Sequence, residues 1–427
     1  MRLFLMGIPV GLAAGALVAL YRRLIGFAES ARAEFYESVL SPAVSHSQFW
    51  VPLLWFAGLL LLALFLSWMC RFEPMAQGSG IPQVKGILRR FMRMRWGRVL
   101  FVQIFGGALA IGAGLSLGHA GPAVEIGAAA GQGVSHLSFR RRLETHFLLE
   151  SGAGAGLAAV FNAPLSGMLF VLEEMERGFS AAALLPAMAA AISASALIRF
   201  LFGEGTIFQF PDILPLPFGY LPYVVLLAAV CGAAAVPFNA GILHMDRFYG
   251  LALFRGSHGT KIAFALLMSG GLGFLFPSLL GGGEGIVTAL VRDHPAFSMI
   301  CLLLAGKVLF TLLSFGCGVP GGFFFPSLVI GALTGAAFGS LLISAGLIAP
   351  MYMTNCVMLA MAAFFAGSVR TPITGAVLLL EMTGSVSHLM AFAIASAVAY
   401  VTSGLLGGTP IYDALLQKQS EKKGVRC

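Results

Sequence analysis

Runs of apolar residues about as long as a bilayer is thick constrain this chain more than any other feature. Val51–Met69, Leu221–Val236 and Leu389–Leu406 are apolar nearly throughout, and a helix needs about 20 such residues to cross the hydrocarbon core. Only 10% of the 427 residues are charged, whereas a soluble domain carries about 25%. An all-α polytopic membrane protein is the fold class this points to. The apolar start Met1–Leu20 runs into Tyr21-Arg22-Arg23. That is not a small-residue cleavage site, so the segment reads as the first membrane helix and not as a signal peptide.

The net charge of +8 could attract nucleic acid, but its placement argues for topology. Lys85, Arg89, Arg90, Arg93, Arg95 and Arg98 share one inter-helix stretch, and Arg140, Arg141 and Arg142 the next. Basic clusters beside spans mark the cytoplasmic face. Residues 1–416 are read as one transmembrane domain, with repeat halves of roughly 1–210 and 211–416. Residues 417–427 are read as a basic tail, its run Lys418–Arg426 solvated in the cytoplasm. The cysteines at 70, 231, 301, 317, 356 and 427 are scattered, without a CxxC pair or a histidine at ligand spacing. Most of them are expected to be packing residues, with no disulfide framework, metal site or cofactor.

If both basic clusters are cytoplasmic, the segment Val99–Phe139 must enter the membrane and return. Its break is Gly118-His119-Ala120-Gly121-Pro122: glycine and proline end the arriving helix, and Pro122 suits the first turn of the next. The pattern recurs in the second half. Gly118, Pro122, Ile126, Gly127 and Gly131 have the same spacing as Gly322, Pro326, Ile330, Gly331 and Gly335. Pro164-Leu165-Ser166-Gly167, followed by Glu173, likewise matches Pro372-Ile373-Thr374-Gly375, followed by Glu381. Two matched blocks in the same order make chance a poor explanation. Paired, interrupted segments in the two halves of a membrane protein point to a transport site.

Broken helices suit an anion. A helix N-terminus exposes unpaired N–H groups and about half a positive charge, without placing a costly cation in lipid. Three Gly/Pro-rich helix starts are candidates: Gly78-Ser79-Gly80-Ile81-Pro82, Gly118–Pro122, and Gly322-Phe323-Phe324-Phe325-Pro326. Ser79 adds a hydroxyl donor.

These segments, with Phe161-Asn162-Ala163-Pro164-Leu165-Ser166-Gly167 leading to Glu173-Glu174 and Pro410-Ile411-Tyr412 near the end, resemble the CLC family of chloride channels and chloride/proton exchangers. The resemblance covers nearly the whole chain. It implies two inverted halves with re-entrant helices, and a homodimer in a lipid bilayer with one pore per subunit for chloride and other small monovalent anions. It implies that Ser79 and Tyr412 donate hydroxyl hydrogen bonds to a central anion beside Gly80 and Ile81. The backbone N–H groups of Phe323 and Phe324 would complete that site, and Gly118, His119, Ala120 and Gly121 would form an outer one. Nitrate-preferring relatives carry proline at the position of Ser79, so serine implies chloride. On the residues alone, Ser79 could instead cap a helix and Tyr412 could be an interfacial aromatic; among these motifs the site reading is preferred for both. The chain ends too soon after Tyr412 for paired nucleotide-sensing (CBS) domains, which resembles prokaryotic members and implies a bacterial inner membrane.

The sequence departs from the family where the second motif usually reads Gly-Arg-Glu-Gly-Pro. Ala120 stands at the gating glutamate, removing both a side-chain plug and a proton carrier. Glu174 aligns with the exchangers' internal proton-transfer glutamate. It is either a remnant, a water-facing charge, or part of a proton path. Glu173 and Glu381 recur in both halves and predict carboxylates that accept hydrogen bonds from helix ends. Glu125, three residues after Pro122, is read as lying in the first helical turn. It either stabilises that N-terminus or substitutes for the missing gate. His119 either tunes the outer mouth or simply packs. The leading expectation is passive, uncoupled chloride conduction, and the alternative is a chloride/proton antiporter using Glu125. An enzyme is not expected. An intramembrane hydrolase would need a serine or metal centre; there is no HExxH, and neither Ser79 nor Ser166 has a histidine close in sequence.

Overall fold

In this computed structural model, residues 2–40, 50–138, 142–176, 178, 180–210, 213–251 and 257–422 are described. Arg140, Arg141 and the end of the expected tail, residues 423–427, lie outside them. The described residues are mainly helical, with no strand and two isolated backbone bridges. In the first half, α1 (Arg2–Phe35), α2 (Trp50–Phe72), α3 (Ile81–Leu88), α4 (Trp96–Gly112), α5 (Ala120–Leu137), α6 (Arg142–Phe161), α7 (Pro164–Phe170) and α8 (Ala181–Phe202) follow in order. The second half holds α9 (Leu221–Phe248), α10 (His258–Leu275), α11 (Glu284–Arg292), α12 (Phe297–Gly316), α13 (Phe324–Ser344), α14 (Met353–Val369), α15 (Pro372–Thr383), α16 (Leu389–Leu405) and α17 (Ile411–Lys422). Among the described residues, eight helical segments are long and apolar enough to cross a membrane. The chain is a multi-pass, all-α membrane protein.

The repeated glycines explain how two helices of each half come together. On α5, Gly127 and Gly131 face Gly152 and Gly156 of α6 so closely that a Cβ at Gly127 would lie 2.9 Å from the Gly156 nitrogen. In the second half, a Cβ at Gly331 of α13 would lie 2.7 Å from the Ala360 carbonyl of α14. Small residues four apart let membrane helices approach to backbone contact. Both helix pairs then turn sharply into a short helix that begins with proline. The turn residues, Asn162 before α7 and Arg370 before α15, have φ of 53° and 71°.

Those two short helices clasp one another. Glu381, on α15, accepts hydrogen bonds from Leu165 N (3.0 Å), Ser166 N (2.8 Å) and Ser166 Oγ (2.5 Å) at the start of α7. Glu173, in the π-helical turn Val171–Glu176 that continues α7, accepts from Ile373 N (3.1 Å), Thr374 N (2.7 Å) and Thr374 Oγ1 (2.7 Å) at the start of α15. Each carboxylate therefore takes up orphan N–H groups at the start of the opposing helix, as expected of these two acids.

Two charges lie elsewhere than the sequence implied. Lys85 belongs to no inter-helix loop: it is inside α3 and fully buried. Lys418 is no solvated tail residue: it sits on α17, pairs with Asp246 at 3.1 Å and donates to the Leu243 carbonyl.

Candidate functional site

The three Gly/Pro-rich helix starts meet. Gly78 N donates to Val319 O (3.1 Å), and Gly321 N donates to Gly78 O (3.0 Å). Gly118 and Gly322 exchange hydrogen bonds in both directions, at 2.5 and 2.9 Å. These two bridges fix the N-termini of α3, α5 and α13 around one volume, so their positive ends add there. Glycine is required by the crowding. A Cβ at Gly121 would lie 2.8 Å from Ser79 Oγ, and one at Gly80 would lie 2.8 Å from Glu125 Oε2. Gly80, with φ 81°, caps α3 in a conformation side chains rarely adopt.

Ser79 and Tyr412 are buried in this volume and lie beside one another. Neither hydroxyl has a protein hydrogen-bond partner. Ser79 is therefore not a helix cap, and α3 begins with no side-chain cap bond. Tyr412 is not interfacial: its ring stacks on Phe323, centroids 5.3 Å apart. A buried hydroxyl without a partner costs about 1–3 kcal/mol, and here there are two, facing three helix starts. Gly322 adjoins them, since a Cβ there would lie 3.5 Å from Ser79 Oγ. Ile81 and Phe324, first residues of α3 and α13, are buried, and the Phe324 ring packs on Phe161 and Phe365. The structure thus brings together Ser79, Gly80, Ile81, Gly121, Phe323, Phe324 and Tyr412.

Gly118, His119 and Ala120 form the adjoining break. Ala120 is buried as the first residue of α5 and offers no charge. His119 stacks on Phe325 at 5.5 Å and lines a cavity of about 420 Å³ shared with Arg22, Glu29, Asn162, Gln209 and Glu284.

Glu125 does not sit in the first turn of its own helix, because α5 already begins at Ala120. Its carboxylate points at a neighbour, the start of α3, where it abuts Gly80. Gln103 donates to its Oε2 and, at 3.3 Å, to the Ala76 carbonyl. Oε1 is buried without a partner. Glu174 is not water-facing. Its Oε1 is 2.6 Å from Lys85 Nζ, and both side chains are buried. Lys85 is also 2.7 Å from Asp413 Oδ1, which takes a third contact, 3.0 Å, from Arg89. This network ties α3, the π-helical turn and α17 together, directly behind Ser79 and Tyr412. Sequence reading missed Lys85, Asp413 and Gln103 as participants, since their partners are distant in the chain.

Comparison with known proteins agrees with this architecture. A family model described as voltage-gated chloride channel matches residues 58–404. An H(+)/Cl(-) exchange transporter ClcA of Vibrio campbellii is 34% identical over 431 residues, spanning 98% of this chain and 89% of the relative. One from Yersinia pseudotuberculosis is 32% identical, spanning 99% and 88%. Among solved structures, a slow cyanobacterial Cl-/H+ antiporter superposes with a TM-score of 0.89 at 30% identity, covering 99% of both chains.

Proposed function

Because the chain belongs to the voltage-gated chloride channel (CLC) family, we propose that it carries chloride across a bacterial inner membrane, as a homodimer with one pore per subunit. The observation that carries this is the pair of buried, unpartnered hydroxyls of Ser79 and Tyr412 at the junction of three helix N-termini. Such a site solvates a halide with dipoles and holds it loosely enough to release. Calorimetric chloride binding to the purified protein tests it. Binding weakened by Ser79→Ala and by Tyr412→Phe is expected, and affinities unchanged in both would remove the hydroxyls as ligands.

The transport mode that the named relatives favour is chloride/proton exchange, and for this chain the carboxylate is Glu125. This reverses the order expected from sequence, where uncoupled flow came first. Glu125 lies against Gly80, at the same helix start that the anion faces. In a medium of low dielectric two negative charges so close exclude one another. Protonation of Glu125 therefore favours chloride, and loss of that proton opposes it, so raising the pH weakens chloride binding. Gln103 holds one oxygen and leaves the other to exchange a proton. In reconstituted vesicles a chloride gradient should drive protons, and Glu125→Gln should stop the proton movement while chloride still flows.

A second reading, uncoupled conduction, has its own observations. Ala120 has no titratable group at the break, and Lys85 holds Glu174 in an ion pair. Absence of chloride-driven proton movement in the unaltered protein would select it. The hydrolase alternative has little geometry to stand on: Ser79 Oγ has no hydrogen-bond partner, and Ser166 Oγ donates to Glu381.

A further inference from the structure

Away from the hydroxyl pair, three side chains from two elements turn toward one point. His146 and Glu150 lie one turn apart on α6, and Glu176 ends the π-helical turn that follows α7. His146 Nε2 is 3.1 Å from Glu150 Oε1 and 3.4 Å from Glu176 Oε1. One donor atom from each residue falls within 4.8 Å of the others. Ligands about 2.0–2.1 Å from a tetrahedral zinc ion are separated by roughly 3.3 Å, so two edges of such a polyhedron are already set.

Glu150 adds an independent observation. It is 2% exposed, and its Oε2 is buried without a hydrogen-bond partner. Its carboxyl lies against that of Glu176. Two adjoining carboxylates repel unless a proton or cation lies between them. One imidazolium offers a single positive charge against the pair, whereas a divalent ion offers two. The side chains of His146 and Glu176 are 34% and 24% exposed, so solution reaches the cluster and a water can serve as fourth ligand. One imidazole with two carboxylates suits zinc, manganese or iron(II), while calcium and magnesium prefer all-oxygen shells.

We infer that His146, Glu150 and Glu176 form a binding site for a divalent transition metal of the zinc class, which fastens the π-helical turn to α6. That turn carries Glu173, which caps α15, and Glu174, which holds Lys85. Metal occupancy thereby stiffens the support behind Tyr412. The inference departs from the expectation of no metal site, and it stands independently of the transport mode.

The test uses the protein free of affinity tags and stripped with a chelator, titrated calorimetrically with zinc sulfate and separately with magnesium sulfate. One zinc per chain is expected, bound at least tenfold more tightly than magnesium, with a raised melting temperature. Glu150→Gln and Glu176→Gln should each weaken zinc binding about tenfold or more, with chloride binding and gel-filtration behaviour retained. On the unaltered protein, zinc should protect His146 from acylation by diethylpyrocarbonate, read by mass spectrometry. No zinc binding, equal magnesium affinity, undiminished affinity in both folded variants, or unprotected His146 would each overturn the site.

Discussion

Two pairs of hydroxyls sit beside helix starts in this molecule, and they are treated in opposite ways. Ser166 and Thr374 each donate to a carboxylate reaching across from the other half of the chain, and the same carboxylates take two backbone N–H groups apiece. Ser79 and Tyr412 are as deeply buried, yet their hydroxyls have no protein partner. Helix starts of one kind are thus closed by a fixed anion, a glutamate. Those of the other kind keep their hydroxyls unbonded and, on the function proposed above, are left for an anion that comes and goes. The same dipole physics builds a structural joint in one place and, on the function proposed above, a binding site in the other. The difference lies in whether a carboxylate of the chain is bonded to the hydroxyl and N–H groups at that start, as at α7 and α15, or only stands near it, as Glu125 does beside Gly80.

That contrast can be broken most forcefully from behind the site. Lys85→Met removes the buried cation between Glu174 and Asp413. Losing one partner of a buried ion pair costs about 3–5 kcal/mol, so a clear fall in detergent-solubilised melting temperature is expected. The double variant Lys85→Met/Glu174→Gln should recover part of it. No recovery would mean that the uncompensated charge of Glu174 is not the source of the loss.

The clasp comes next. Glu381→Ala strands two N–H groups and one hydroxyl at the start of α7. With hydrogen bonds to charged groups worth about 1.5–3 kcal/mol each and not additive, a loss of about 3 kcal/mol is expected. Glu173→Ala should match it, because the geometry at α15 is nearly the same. A large inequality between the two would deny that the joints are equivalent.

Much of this contrast was legible in the sequence, for a local reason. Helix breaks are written in glycine and proline, and their order survives in the text of the chain. The three starts, the hydroxyl at Ser79 and the paired acids Glu173 and Glu381 could therefore be read directly. What could not be read was contact between distant segments. Lys85 sat in a basic stretch and looked like a topology signal, because its partners lie in α17 and in the turn after α7. Glu125 reads as a first-turn acid because Pro122 marks a helix start in the sequence, whereas α5 begins at Ala120. The bridge between Gly118 and Gly322 supports the backbone through Gly118, and the helix opens already at Ala120. His146, Glu150 and Glu176 were invisible as a group, since only the meeting of α6 with the π-helical turn assembles them.

At the site itself, Ser79→Ala and Tyr412→Phe should each lower chloride affinity about tenfold, the equivalent of one hydrogen bond to a charged group. Melting temperature should hold or rise slightly, because each change deletes a hydroxyl that has no protein partner. Ser79→Pro should move preference toward nitrate in competition measurements. A drop in stability without loss of affinity would show that these hydroxyls have structural partners after all.

The smallest effect makes the cleanest mirror. Ser166→Ala removes one of three donors to Glu381 and leaves the two N–H groups in place. The carboxylate keeps most of its compensation, so a loss of about 1 kcal/mol is expected, with chloride affinity unchanged. Placed beside Ser79→Ala, the two serine-to-alanine changes should give opposite signatures: stability without affinity at Ser166, affinity without stability at Ser79. Both serines are buried beside a helix start, so burial and local helix geometry cannot produce such a reversal. Only a carboxylate bonded to the serine hydroxyl at one start, with none bonded to it at the other, can. If Ser166→Ala also weakened chloride binding, the clasp and the anion site would be coupled mechanically. The joint between α7 and α15 would then be part of the machinery that opens and closes around the ion.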